Sequence, residues 1–376
     1  MDKKRAAVVG GGIVGLAMAR ALALKGFSVH VFERNEKACG ASIRNFGMIF
    51  PTSQPEGKWY RRAKRSRDIW ESFCKETHTW YHPGGTLHIA READEWQVLQ
   101  EVHAVFNEEG RQNRLLKKDS VGAVSPAVIS SGLLGAMHCM DDLVVDPRRA
   151  MHALPVWLHE KFKVQTHFNT CITAISGGKL FAGRKEILSA DLVFVCNGSD
   201  FETLYPDEYA MQPLTRCKLQ MMRFKNPVEH KPIGPALCGG LSLLHYGSFK
   251  KAPSLQLLKK RVEEELPEYI KYGIHVMATQ NEQGEFTIGD SHEYGRTPDP
   301  FDKDQINILI LDYLRRFVDI TGFQLRESWH GIYPKLTNGE TDLVLSPEPG
   351  VLIVNALSGA GMTLSFGLAE ELSDAF

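Results

Sequence analysis

The stretch from Arg5 to Glu33 constrains the fold more tightly than any other part of the chain. Arg5-Ala6-Ala7-Val8-Val9 is a short apolar run of the kind that forms a buried parallel strand. It passes directly into Gly10-Gly11-Gly12-Ile13-Val14-Gly15, a G-x-G-x-x-G turn, and Leu16 to Lys25 then reads as an Ala- and Leu-rich helix. Gly26 stops that helix, and Phe27 to Phe32 is a second strand that ends at Glu33. Each glycine has a task. Gly10 permits a tight turn, Gly12 lets a pyrophosphate approach the backbone, and Gly15 lets the helix pack closely on the strand. The helix start at Ile13 and Val14 offers free N–H groups and a positive dipole end to phosphates. Glu33 lies roughly 20 residues on, where an acid can accept hydrogen bonds from a ribose diol.

A glycine-rich turn alone carries little weight in a chain with 33 glycines. The order strand, glycines, helix, strand, acid makes dinucleotide binding the expectation. A secretory leader is the competing reading of Lys3-Lys4-Arg5 before an apolar stretch. Arg20 and Lys25 interrupt that stretch, which is also too short to span a bilayer.

After Glu33-Arg34 comes Gly40-Ala41-Ser42-Ile43-Arg44-Asn45-Phe46-Gly47-Met48-Ile49-Phe50-Pro51. This segment resembles the second signature of the D-amino-acid-oxidase-like flavoenzymes, such as glycine oxidase and sarcosine oxidase. It is most similar to a subgroup associated with phosphonate catabolism. The resemblance implies FAD, with Arg34, Ser42, Arg44, Asn45, Gly47 and Met48 running along the pyrophosphate and up to the isoalloxazine ring. It also implies an adenine contact at Cys171, a strand-end turn at Cys196-Asn197-Gly198, and flavin contacts at Gly359, Gly361, Met362 and Thr363. The fold class is then α/β, or α+β overall. A Rossmann-like FAD-binding part (1–85, 143–210, 325–376) interleaves with a substrate part (86–142, 211–324) built on a large mixed sheet with flanking helices.

The chain's 376 residues are enough for two cores, and a net charge of -1 gives no reason to expect nucleic acid or an anionic membrane as partner. Seven cysteines, an odd number without a C-x-x-C pair, predict reduced thiols in a cytoplasmic protein. No metal site is expected. His78 and His82 are four apart, but a zincin would need Glu after the first, and Pro83-Gly84-Gly85 ends any helix there.

Along the rest of the chain, helices are expected over 58–77, 92–109 and 302–318, and from Pro147 to Phe162 with Asp146 as N-cap. The charged segment 255–272, broken at Pro267, is a candidate lid or flank. Strands are expected within 85–90, 133–140, 164–175, 191–198, 218–224, 274–279 and 285–288. Val351 to Leu357 is a last strand, and Ser358-Gly359-Ala360-Gly361 opens the last helix, a second glycine-rich turn whose N-terminus would favour negative charge on a reduced flavin ring.

The sequence also departs from the family it resembles. Tyr333-Pro334 stands where amino-acid-oxidising relatives carry an Arg-Pro pair. A phenol gives one hydrogen bond where guanidinium gives a charged fork, which argues against glycine or simple D-amino acids. Gly331 stands near the cysteine of covalent-flavin relatives, so non-covalent FAD is expected, and Thr287 and Thr363 replace lysines. His292, Tyr333 and His330 are candidates for positioning substrate at the reacting centre. Arg44, Met48, His245, Arg296 and Lys335 are candidates for binding the rest of it.

The resemblance implies oxidation of a small amine, with oxygen or another carrier as electron acceptor and an aminophosphonate as the substrate class. A flavin-dependent 2-hydroxyacid or glycerol-phosphate dehydrogenase is the rival within the fold. A nicotinamide enzyme and a non-catalytic nucleotide-binding protein are the others.

Overall fold

The computed structural model describes residues 3–226 and 232–376. A six-stranded sheet runs in the order Leu343–Glu348, Val351–Asn355, Leu192–Val195, Arg5–Val9, Ser28–Phe32, Gln165–His167. Four of its five pairings are parallel, and the one at the Leu343–Glu348 edge is antiparallel. Parallel strands are covered on both faces, and side-chain alternation splits the apolar run accordingly. Ala6 and Val8 face the helices Ile13–Leu24, Lys58–Thr77, Pro147–Phe162 and Gly361–Ser373. Ala7 and Val9 face the other way, into a cluster with Ile172, Leu180 and Phe201 beneath a small antiparallel meander.

The second sheet has nine strands and is mixed. One face packs on the helices Ala93–Glu108, Leu255–Glu265 and Asp304–Leu314, through residues such as Leu87, Val98, Leu258, Ile306 and Ile310. The other face presents Cys217, Leu219, Met221, Met277 and Tyr333 toward the first sheet. The long strands Leu214–Lys225 and Gln324–Leu336 form its longest pairing, so residues 324–336 run in this sheet although the sequence groups 325–376 with the nucleotide part.

Helix boundaries follow the sequence signals. Asp146 accepts from the backbone N–H groups of Arg148 and Arg149 at 3.0 and 3.3 Å, and Pro147 takes the first helical position, where no N–H is needed. The 255–272 segment is a flank and not a lid. Leu258 and Val262 are fully buried, and Arg261 pairs with Asp94 at 2.7 Å. His78 caps one helix in the left-handed region (φ 55°) while His82 lies in a strand, so the two do not share a helix face. The cysteines are unpaired. No helix among the described residues is long and apolar enough to cross a membrane.

Candidate active site

One cleft of about 700 Å³ runs between the two sheets, from the first glycine turn to the inner face of the nine-stranded sheet. Its nucleotide end is made largely of backbone. Gly10 has φ +113°, and a Cβ there would sit 2.2 Å from the Cys196 carbonyl oxygen. A Cβ on Gly15 would lie 2.0 Å from the Gly10 carbonyl. At Gly12 a Cβ would meet only Ser42 Oγ, at 3.2 Å, so the turn is open toward the cleft. The Ile13 N–H donates to Ser42 Oγ at 3.0 Å, tying the glycine turn to the next loop. Glu33 accepts from the N–H groups of Gly11 (2.8 Å) and Asn35 (3.0 Å). Its Oε1 also accepts from the Asn35 side-chain amide at 3.1 Å, so of the roughly four acceptor sites of an ionised carboxylate about one, on Oε2, is left for a ribose hydroxyl.

The loop from Gly40 to Gly47 is held by Asn45. Its amide donates to the carbonyls of Ala41 (2.9 Å) and Ser42 (3.0 Å), and its oxygen accepts from Gly47 N–H at 2.7 Å. Gly47 itself lies outside the cleft. Its φ is +74° and a Cβ would collide with the Val145 carbonyl at 1.9 Å, so its task is close backbone packing. Arg34 pairs with Asp200 beside Cys171. That pairing outweighs partial burial and raises the Arg34 pKa.

The second glycine turn meets the first. A Cβ on Gly361 would touch Ile13 Cγ2 at 3.6 Å, and one on Gly359 would lie 3.5 Å from the Tyr333 hydroxyl. Two helix starts thus converge on one wall of the cleft, with Val14 and Met362 beside them. Thr363 Oγ1 accepts from the Phe50 N–H at 3.0 Å, joining this turn to the Met48–Phe50 stretch. Behind the wall, the Asn355 amide donates to Tyr209 Oη (2.9 Å) and the Gly198 carbonyl (2.9 Å), and Tyr209 donates to Asn197 Oδ1 at 2.5 Å. This buried network ties the ends of two parallel strands together. Tyr209 and Asn355 carry no recognisable motif in the sequence.

The substrate end is made of side chains on the inner sheet face. Leu219, Met221, Met277, Tyr246, Tyr333 and Lys335 line it. Lys335 Nζ donates to the Tyr294 hydroxyl at 3.0 Å, and Arg44 donates to the His330 carbonyl at 3.1 Å. Two of the candidates for contacting substrate fall outside. Strand alternation puts Gly331, Tyr333 and Lys335 on the cleft side and His330 on the far side, where its Nδ1 lies 2.8 Å from Asp302. Arg296 is exposed beyond the cleft, and Thr287 lies on the Glu285–Gly289 strand, also outside it.

No motif in the sequence points to a metal ligand, yet the fold brings His245, His275 and His292 together. One ring nitrogen of each lies within 4.8 Å of the others. They come from a short helix, a strand entrance and a strand exit, so no local spacing announces them. His275 sits inside an apolar strand run, and its place two residues before Met277 on the same face was the only available signal. Burial holds the His292 imidazole down at about 4, helped by the Lys335 charge, and lowers His245 and His275 further below the ordinary value. All three rings are neutral near pH 7. His245 is surrounded by protein but open to the cleft. Burial raises the Asp290 carboxyl well above its ordinary range.

Comparison with known proteins agrees with this architecture. The glycine oxidase of Geobacillus kaustophilus superposes with a TM-score of 0.77 at 20% identity, covering 100% of this chain and 95% of that one. The L-proline dehydrogenase of P. horikoshii gives a TM-score of 0.78 at 18% identity, covering 99% and 93%. These likenesses establish the fold. A curated relative, the tRNA 5-methylaminomethyl-2-thiouridine biosynthesis bifunctional protein MnmC of Saccharophagus degradans, is 25% identical over 251 residues, or 63% of this chain. The chain spans about a third of that relative's length (34%). The family model described as "FAD dependent oxidoreductase" (DAO) matches residues 5–375. With both glycine turns, Glu33 and the loop between them facing one cleft, the chain belongs to the DAO family of FAD-dependent oxidoreductases.

Proposed function

We propose that the protein oxidises a small amine carrying an anionic group, with an aminophosphonate such as 2-aminoethylphosphonate or its N-methyl form as the substrate class. The observation that carries this reading is the substrate end itself. An apolar floor of Leu219, Met221 and Met277 lies beside the cation Lys335 and the hydroxyls of Tyr246 and Tyr333. Two structurally similar enzymes are named for amine donors, glycine and L-proline. FAD held in the cleft would supply a two-electron acceptor.

The protein's own part is positioning. The glycine turns at Gly10–Gly15 and Gly359–Gly361, with Glu33 and Ser42, hold the cofactor. The apolar floor excludes water, and Lys335 holds the anionic end. Tyr333, beside Gly359, fixes the amine side with one hydrogen bond. A neutral amine needs no strong base to give up hydride, so the uncharged surroundings suit it. Oxygen or another carrier would be the final electron acceptor. The six-stranded and nine-stranded sheets are proposed as the FAD-binding and substrate-binding parts, and the unpaired cysteines support a reducing, cytoplasmic setting.

The rival is a 2-hydroxyacid or glycerol-phosphate dehydrogenase, favoured by the free imidazole nitrogen of His292, which could take an alcohol proton. Anaerobic titration of the FAD-loaded protein separates the two. Bleaching by 2-aminoethylphosphonate or its N-methyl form, and not by 2-hydroxyglutarate, is expected. Bleaching by the hydroxyacid alone would reverse the assignment.

A further inference from the structure

His245 closes the helix Ser242–His245, His275 precedes the strand Met277–Gln280, and His292 follows the strand Glu285–Gly289. The His275 and His292 rings stack with centroids 5.0 Å apart, and the His245 ring lies 3.9 and 4.6 Å from them. All three line the cleft.

The hydrogen bonds around these rings decide what they present to one another. His292 Nδ1 lies 2.9 Å from the Gly273 carbonyl. A carbonyl only accepts, so Nδ1 carries the hydrogen and Nε2 offers a lone pair. His275 Nε2 lies 3.2 Å from Asp290 Oδ1, while His275 Nδ1 is buried with no hydrogen-bond partner. A ring held through one nitrogen by a backbone carbonyl, as His292 is, leaves the other nitrogen to coordinate, which is how metal-binding histidines are oriented; Asp290 Oδ1 beside His275 is itself without a hydrogen-bond partner among the described residues. Neutral imidazole nitrogens gathered within 4.8 Å present lone pairs that repel a bare carboxylate or phosphonate. They attract a cation.

We propose that His245, His275 and His292 bind one divalent transition-metal ion of the Zn²⁺ type, with a coordination position left open toward the cleft. Three imidazoles with a vacant fourth position are the ligand set of zinc sites that bind small molecules. Imidazole nitrogen suits Zn²⁺, Fe²⁺, Cu²⁺ and Ni²⁺ and disfavours Mg²⁺ and Ca²⁺, which prefer oxygen. Metal–nitrogen bonds of about 2.0–2.1 Å in tetrahedral geometry place the nitrogens about 3.3 Å apart. The trio, within 4.8 Å, therefore needs at most about 1.5 Å of approach, a side-chain movement. The open position would take the anionic group of the substrate, alongside Lys335. That last assignment rests on the amine-oxidising reading, and the metal site itself does not.

The test uses the FAD-loaded full chain, stripped with a chelator, desalted and titrated calorimetrically with Zn²⁺ near neutral pH. Metal content is read by mass spectrometry. About one Zn²⁺ per chain is expected, with affinity weakened in His275→Gln and His292→Gln by more than the ~10- to 100-fold that loss of a ligand's outer hydrogen-bond partner costs. His245→Gln guards against misfolding, since that ring opens to the cleft. It is expected to lose Zn²⁺ binding while keeping the flavin spectrum and Tm of the parent.

Failure to bind Zn²⁺ would overturn the proposal. So would binding that survives His245→Gln and disappears when the exposed thiols Cys39 and Cys171 are alkylated. A sarcosine-induced change in the flavin spectrum that needs His245 but no metal would also overturn it, and would make the trio the seat of the substrate ammonium. Tight, His245-dependent Zn²⁺ binding in a protein whose flavin no amine reduces, with or without Zn²⁺, would uphold the metal site and overturn the amine-oxidising reading instead.

Discussion

At the nucleotide end of the cleft, the surfaces offered to a ligand are peptide groups and the short side chains that brace them. At the substrate end they are long side chains standing on a sheet. The first arrangement is tied to glycine, because a Cβ at Gly10 or Gly15 would strike a carbonyl oxygen at 2.2 or 2.0 Å. The second tolerates exchange, because a strand holds its backbone whatever side chain faces the cleft. The cofactor end therefore carries the family's identity. The substrate end carries whatever is particular to this protein.

The largest effect expected is at Gly10. Gly10→Ala meets both a positive φ and the Cys196 carbonyl, a cost on the order of 5 kcal/mol. The purified variant should lack flavin absorbance. Retention of FAD would break the distinction between the two ends.

Next comes the seam between them. Asp142 accepts from the Thr52 N–H (2.9 Å) on the cofactor side and the Thr86 hydroxyl (2.6 Å) on the substrate side, and burial raises its pKa to about 7. A carboxyl raised on folding stabilises fully below its unfolded pKa, near 4, and that contribution is lost as pH rises to about 7. The loss amounts to roughly 4 kcal/mol over that window. Denaturant unfolding from pH 4 to 8 should show it in the parent and not in Asp142→Asn.

At the substrate end, Lys335→Gln should leave the flavin spectrum unchanged. It should raise KM for an anionic amine about 10- to 100-fold with little change in kcat, as loss of a charged hydrogen bond worth about 2 kcal/mol would. A neutral amine substrate should show no such KM change.

The smallest effect belongs to His330→Gln. Its ring faces Asp302 on the far side of the sheet, so flavin reduction rates should stay within about twofold of the parent, as for a surface change costing under about 0.5 kcal/mol. A large loss would move the substrate site to the opposite face.

The same contrast explains what could be read from the sequence. Gly10, Gly12, Gly15 and Glu33 fall at fixed spacing because one strand-turn-helix unit makes the site, and Asp146-Pro147 marks its helix start for a similar local reason. The nine-stranded sheet joins residues far apart in the chain. His245 on its short helix, His275, and the neighbouring Asp290 and His292 meet only through tertiary packing, so no motif links the three segments. His330 shows the limit from the other direction. A candidate one residue from the cleft face points away from it, since register is a property of the sheet and not of the local sequence. Tyr209 and Asn355 were hidden for the same reason, because their shared network closes only once two strand ends lie side by side.

The most direct test of a separable cofactor end and substrate end is anaerobic flavin reduction by N-methyl-2-aminoethylphosphonate. The parent and Lys335→Gln would be compared, both FAD-loaded. The account predicts the same starting flavin spectrum in both, full bleaching of the parent, and bleaching of the variant only at concentrations about 10- to 100-fold higher. Equal concentration dependence in the two proteins, or loss of FAD from the variant, would contradict it.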